Sequence, residues 1–250
     1  MPTIERTIEH VLETVRNAKE REKKCCLLIG AGCSVKAGVP LASEFVNIIQ
    51  AKWPIIYKDA AAPKQYPQCM AELGPAERLG LIAKYVDNAK INWAHIAITQ
   101  LMQEGYVDRV LTTNFDPLVV RACAMVGHYP AVYDFAASTV LKPDDISGEA
   151  VFYLHGQRNG FALMNTVEQC QEHSKKLAPL FQDAGRGRVW IVVGYSGEND
   201  PVFQHLASVE EFNNKLYWIG YKDHPPAEHV RSGLLRDGNF AFHVRGFDAD

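Results

Sequence analysis

Short apolar runs closed by glycine or polar residues recur along this chain, and they constrain its fold more than any other feature. Cys25–Ile29 empties into GAGCSVKAGVP. Val107–Thr112 ends in TTNFD, Ala150–Leu154 in HG, Arg188–Val193 in GYSG, and Leu216–Ile219 in GYKD. Between the runs lie stretches of helical spacing at 76–88, 92–104, Pro117–Val126, 166–184 and Pro201–Phe212. Fully apolar strands alternating with helices predict an α/β fold: a parallel sheet with helices on both faces. Pro130–Phe135 reads as weakly extended and Asn239–Arg245 as extended.

Two stretches stand apart from this alternation. Residues 3–22 carry Ile4, Ile8, Val11, Leu12 and Val15 at helical spacing and predict one helix with a single apolar face. Ser43–Trp53 predicts another helix, restricted by Pro54. Residues 54–105 hold Pro54, Pro63, Pro67, Gly74 and Pro75 among helical segments and no clear strand, so they read as a helical insertion beside the core. The expectation is one domain over residues 1–250 containing that insertion. The N-terminal helix and the insertion either cover the core or offer contact surfaces.

Composition narrows the function classes. A net charge of −3 gives no basic field to attract nucleic acid. No run of about eighteen apolar residues exists, so no transmembrane helix is expected. The charged N-terminus has no apolar stretch of the secretory kind. None of the six cysteines forms a C-x-x-C pair, so metal-ligand spacing is absent. Reduced thiols in a cytoplasm, packed as small hydrophobes, are expected.

The polar punctuation falls at the carboxyl ends of the predicted strands, where open α/β sheets bind ligands. Gly30, Gly32, Asn114, Asp116, His155, Gly194, Ser196 and Gly220 all occupy such ends. Gly30 and Gly32 fit the start of a dinucleotide fingerprint, but Val35 stands where its third glycine would be, and no G-K-[ST] follows. Small residues there let a backbone approach a pyrophosphate, and Ser34 could add a hydroxyl; a tight turn without ligand explains the same glycines. Asp116 reads as a helix cap or as an acceptor for an amide. Asn114 reads as a turn residue or as a holder of water or a ribose hydroxyl. His155 beside Gly156 suits general acid–base work, while His95, on a predicted helix, has no such setting. Glu198, Asn199 and Asp200 read as the cap of the next helix. Gly194–Gly197 reads as a phosphate or ribose turn or a plain turn, and Gly220 as a floor for an adenine.

GAGCSVKAGVP, TTNFD, HG and GYSG, in this order, resemble the sirtuin-like domain, and the match spans residues 25–220. The resemblance implies a Rossmann-like domain that binds NAD as a substrate and cleaves its nicotinamide–ribose bond. It implies that Ala31, Gly32 and Ser34 contact the phosphates, that Asn114 lies at the nicotinamide ribose, and that Asp116 holds the carboxamide. His155 is then the general base, and Gly194 and Ser196 line the adenosine side.

The chain departs from the protein-deacylase branch. Between His155 and Val189 stands one cysteine, Cys170, where a zinc ribbon needs two C-x-x-C pairs, so no zinc is expected. Leu41, Ala42 and Ser43 replace the D-F-R that follows G-[IV]-P in deacylases. What remains is similar to the zinc-free sirtuin-like domains of bacterial anti-phage defence, which act as NAD hydrolases. That branch implies a homo-oligomer and a C-terminal sensor domain or partner protein, with the VRGFDAD end running on into it. A deacylase, an ADP-ribosyl transferase or a non-catalytic NAD or ADP-ribose sensor are the rival expectations.

Overall fold

The computed structural model describes residues 4–137, 146, 148–160, 163–164, 166–221 and 224–246. The last two residues of GYKD and residues 247–250 of VRGFDAD lie outside the described residues.

Eight parallel strands form one sheet: β1 (Glu5–Arg6), β2 (Cys25–Ile29), β3 (Val107–Thr112), β4 (Ala131–Asp134), β5 (Ala150–Tyr153), β6 (Val189–Val193), β7 (Leu216–Gly220) and β8 (Ala241–Arg245). Their spatial order is β1-β8-β7-β6-β2-β3-β5-β4. The helices are α1 (Ile8–Glu20), α2 (Ala42–Lys52), α3 (Pro54–Asp59), α4 (Tyr66–Ala71), α5 (Pro75–Val86), α6 (Trp93–Gln103), α7 (Leu118–Met125), α8 (Val167–Ser174), α9 (Ala178–Gly185), α10 (Phe203–Ala207) and α11 (Glu228–Gly233). A 3-10 helix, Ala31–Ala37, follows β2. The parallel α/β fold expected from the alternation, Rossmann-like as the resemblance implies, is the fold observed.

The apolar runs are buried because the sheet is covered twice. Every residue of β2 is buried. Cys26 and Leu28 face one side, with Phe152, Trp190, Trp218 and the α9, α10 and α11 residues Leu180, Phe203 and Val230. Cys25, Leu27 and Ile29 face the other, with Val11 of α1, Met102 of α6 and Val119 of α7. Strand alternation thus sends the adjacent cysteines into opposite layers. Burial pushes both thiols up, Cys25 to about 12, which keeps them inert as apolar filler. Complete burial of a leucine such as Leu28 contributes about 1.5–3 kcal/mol.

A third cluster, from Phe45 to Val86, belongs to α2–α5. Its edges differ from the expected 54–105. It takes in α2, whereas α6 buries Ile98 and Met102 against the sheet. The prolines marked breaks between helices but carried no information about which layer each helix joins.

Two other elements differ. The N-terminal helix begins at Ile8, because Thr7 is an extended N-cap and its N–H donates to His10 Nδ1 (3.2 Å). Glu5 and Arg6 instead pair with His243 and Val244. The helix expected over Pro201–Phe212 shrinks to Phe203–Ala207, as the Phe212 N–H donates to Asn239 O (2.9 Å) and draws the chain toward β8.

After β2 the chain crosses to β3 on one side, and after β6 it continues to β7 on the other. The neighbouring strands β2 and β6 therefore define a switch point, where their following loops diverge.

Candidate active site

The two glycine-bearing loops meet at this switch point. Gly30 N–H donates to Val193 O (3.1 Å) and Gly32 N–H to Gly194 O (2.8 Å). A Cβ on Gly30 would lie 2.7 Å from Gly194 O, and one on Gly32 would lie 2.7 Å from Gly194 Cα. Close packing of backbone on backbone is thus a sufficient reason for glycine at 30, 32 and 194. Ala31, half-buried, opens the 3-10 helix next to them.

Inside this contact lies a closed polar network. Ser34 is fully buried and its hydroxyl donates to Asp116 Oδ2 (2.8 Å). Asn114 Nδ2 donates to Ser34 Oγ (3.2 Å) and to Gly30 O (3.1 Å). Asp116 Oδ1 accepts from the Leu118 N–H (3.1 Å) at the start of α7, where Pro117, not Asp116, holds the N-cap position. The Tyr153 hydroxyl donates to Asp116 O (3.2 Å) from β5.

The fourth member is His95, for which its helical position predicts no place at the site. That expectation is overturned: His95 is fully buried, with Nε2 3.4 Å from Ser34 Oγ. Its Nδ1 accepts from the Asn92 N–H (3.2 Å), which puts the ring proton on Nε2, aimed at Ser34. Burial holds its pKa below the ordinary histidine value, against the pull of Asp116, so the ring is neutral. Asn92 caps α6 and donates to Cys33 O (2.8 Å), fixing that helix to the glycine loop.

These bonds saturate two groups. Ser34 gives its one proton to Asp116 and accepts from Asn114 and His95. Asn114 spends both amide protons on Ser34 and Gly30. The carbonyl Oδ1 is the one amide atom of Asn114 that the network leaves over.

His155 stands at the end of β5, next to β3, which leads to Asn114. Gly156, with φ +86°, turns the chain there, a conformation that favours glycine. His155 does not join the Ser34 network. Its Nε2 lies 3.0 Å from Asp200 Oδ2, and its Nδ1 lies 4.0 Å from Cys170 Sγ. Burial works against the imidazolium, but the Asp200 carboxylate outweighs it and raises the pKa to about 10. Burial likewise opposes the Asp200 charge, and His155 overcomes it, holding that carboxyl below its usual range. The Tyr195 phenol, buried beside Asp200, and His173 of α8 complete the surroundings; burial and the nearby His155 lower the pKa of His173. Asp200, expected as a cap, stands two residues before Val202, which holds the N-cap position of α10; its Oδ1 accepts from the Val202 N–H (2.9 Å) in the turn that precedes the helix. Its hold on His155 had no sequence signal.

The remaining candidates stay outside these two groups. Ser196 is exposed; its Oγ accepts from the Glu198 N–H (3.3 Å) and its carbonyl contacts His229 Nε2 (2.9 Å). A Cβ on Gly220 would run into the His243 ring, and Gly220 O accepts from the Gly246 N–H (2.9 Å). Among the described residues, no group of three or more His, Cys, Asp or Glu side chains is placed to hold a metal ion. A cleft of about 310 Å³, lined by Phe181, Trp190, His205 and Phe212, opens at the amino ends of β6 and β7, away from His155.

The fold and site define a parallel α/β protein with a buried polar centre at the carboxyl ends of its strands. The SIR2-like domain family matches residues 108–242, more than half the chain, and the chain belongs to that family. A sequence search among curated proteins returned no match. Among solved structures, a Sir2 homologue in complex with NAD is similar at 19% identity with a TM-score of 0.59, over 98% of this chain and 91% of that one. A sirtuin solved to explain substrate affinity is similar at 17% identity and a TM-score of 0.53, over 98% and 95%. A serine-to-alanine mutant of a Sir2 homologue with ADP-ribose gives 20% identity and a TM-score of 0.54, over 90% and 86%. At these identities the likeness speaks for the fold.

Proposed function

We propose that this protein is an NAD hydrolase that takes NAD as a substrate and cleaves its nicotinamide–ribose bond, releasing nicotinamide and ADP-ribose. The observation that carries this reading is the saturated network around Ser34, which leaves Asn114 only an acceptor to offer beside His155. Family membership and the NAD and ADP-ribose complexes of similar Sir2 homologues supply the ligand class.

Nicotinamide leaves as a neutral group, so the departing side needs no proton. The ribose side passes through an oxocarbenium-like state and needs an oriented water. Asn114 Oδ1 is suited to accept from that water or from a ribose hydroxyl. His155 takes the water's proton, which requires that its imidazolium first lose one. Ser34, with its proton committed to Asp116, acts through Asn114 and Asp116 rather than as a phosphate donor. Asp116 remains the candidate for the carboxamide, and the loops at Gly30, Ala31, Gly32, Gly194, Ser196 and Gly220 remain candidates for the rest of the dinucleotide.

The same reading assigns the chain to NAD depletion in anti-phage defence, as a homo-oligomer acting with a C-terminal sensor or a partner protein. Incubation of the protein with NAD, alone and with an acylated peptide, tests the chemistry. Nicotinamide and ADP-ribose from NAD alone support hydrolysis. O-acyl-ADP-ribose formed only with peptide replaces that reading with deacylation, and intact NAD in both arms overturns it.

A further inference from the structure

The turn that enters α10 carries a carboxylate tied down at both oxygens. Asp200 Oδ1 accepts from the Val202 N–H (2.9 Å) and Oδ2 lies 3.0 Å from His155 Nε2. The two side chains are only 16% and 10% exposed. Bonding a helix-entry N–H does not require a carboxylate, since Thr166 caps α8 with a hydroxyl that accepts from the Gln169 N–H (3.4 Å). The second oxygen reaches across the sheet edge from the loop after β6 to the end of β5. It meets the one histidine that the proposed reaction uses.

We propose that Asp200 is the positioning residue of His155, gripping Nε2 so that Nδ1 is the ring nitrogen that accepts the proton. This rests on the reading of His155 as the base of NAD cleavage. The second-oxygen bond fixes the ring's rotation and its tautomer once neutral, as a carboxylate behind a catalytic histidine does on unrelated folds. Among the described residues, the hydrogen-bonding partner of Nδ1 is the Cys170 thiol at 4.0 Å, a distance too long to hold a proton firmly. The charged and titratable groups around the ring are Asp200 and Tyr195 from the β6 side and Cys170 and His173 from α8. Of these, Asp200 alone bears a carboxylate and is the dominant partner that favours the imidazolium. The base is therefore strong, and mostly occupied by its proton at neutral pH.

The test combines an NMR titration of the His155 ring, assigned by its loss in His155→Ala, with the kinetics of NAD cleavage by the 250-residue protein. In Asp200→Asn, which keeps a hydrogen bond but no charge, the His155 proton affinity falls by at least about tenfold. The alkaline rise of kcat moves to lower pH with it. Asp200→Ala lowers kcat by about 100-fold or more while KM changes less than about threefold, and Asp200→Glu restores part of kcat. An unchanged His155 titration in Asp200→Asn overturns the proposal, as does wild-type kcat and pH profile in Asp200→Ala. If Asp200→Ala does not fold, the asparagine variant decides alone. A shifted titration in a protein that leaves NAD intact supports the pair and removes the hydrolase reading.

Discussion

Strand β3 enters one charged centre and leads out into another, and the two are built differently. At its start, Arg109 and Asp108 sit in a fully cross-paired cluster. Arg109 Nε lies 3.2 Å from Asp183 Oδ2, and Arg188 Nε lies 2.7 Å from Asp108 Oδ1. Arg109 Nη1 also donates to the Asp108 carbonyl (3.1 Å), so its fork is filled by the protein itself. Just past the other end, Asn114 keeps an acceptor in reserve, and His155 is held by a single carboxylate. Both ends are buried and polar. A centre whose valences are all spent on its own chain is a fastener, whereas one with an unspent group has something to offer a substrate.

The contrast breaks first at His155. His155→Ala is expected to lower NAD cleavage by about 10²–10⁴-fold, read as nicotinamide release, and Asn114→Ala to do so comparably. Equal turnover in either variant places the chemistry elsewhere. Arg109→Ala is the counterpart at the fastening end. It takes from the part-buried Asp183 its Arg109 partner, while Asp108 keeps Arg188, and is expected to cost about 3–5 kcal/mol in urea unfolding, while kcat per folded molecule holds. A loss of kcat without loss of stability would erase the distinction between the two ends.

Smaller effects sharpen it. Gly32→Ala places a Cβ 2.7 Å from Gly194 Cα and is expected to cost about 1–3 kcal/mol by calorimetry, with weaker NAD binding as the loops part. The two ends also differ in pH response. His155 has a raised folded-state pKa, so stability from its pair is whole below the ordinary value of 6.5 and is lost as pH rises toward about 10. The lowered Asp200 pKa makes the same interaction fail again as pH falls below 3.8. Unfolding free energies across the alkaline range should therefore decline in the wild type and flatten in Asp200→Asn. At the bottom of the scale, Asp87→Ala removes the Arg158–Asp87 pair (3.0 Å), whose carboxylate is 49% exposed, and should change stability by no more than about 1 kcal/mol.

The sheet was legible because apolar runs of four to six residues report burial on both faces without knowledge of neighbours. The strand-end rule then gathered Asn114, Asp116 and His155 at one edge. Elements governed by distant partners were not legible. Phe212 is drawn off a helical pattern by Asn239, and Glu5 and Arg6 leave one for β8. Asp200 showed the sequence its local bond to Val202 and not its bond to a residue 45 positions away. His95 gave no signal because a histidine on a helix looks the same whether it faces water or Ser34, 61 positions earlier.

The amino-acid sequence by itself determined the parallel α/β layers and which residues stand at the strand ends, since hydrophobic period and turn chemistry act within a few residues. The tertiary structure alone decided which of those residues join. It set Ser34, His95, Asn114 and Asp116 into one hydrogen-bonded network and His155 with Asp200 into a separate ion pair, because buried hydrogen bonds and charges are satisfied by whatever the fold brings within about 3 Å.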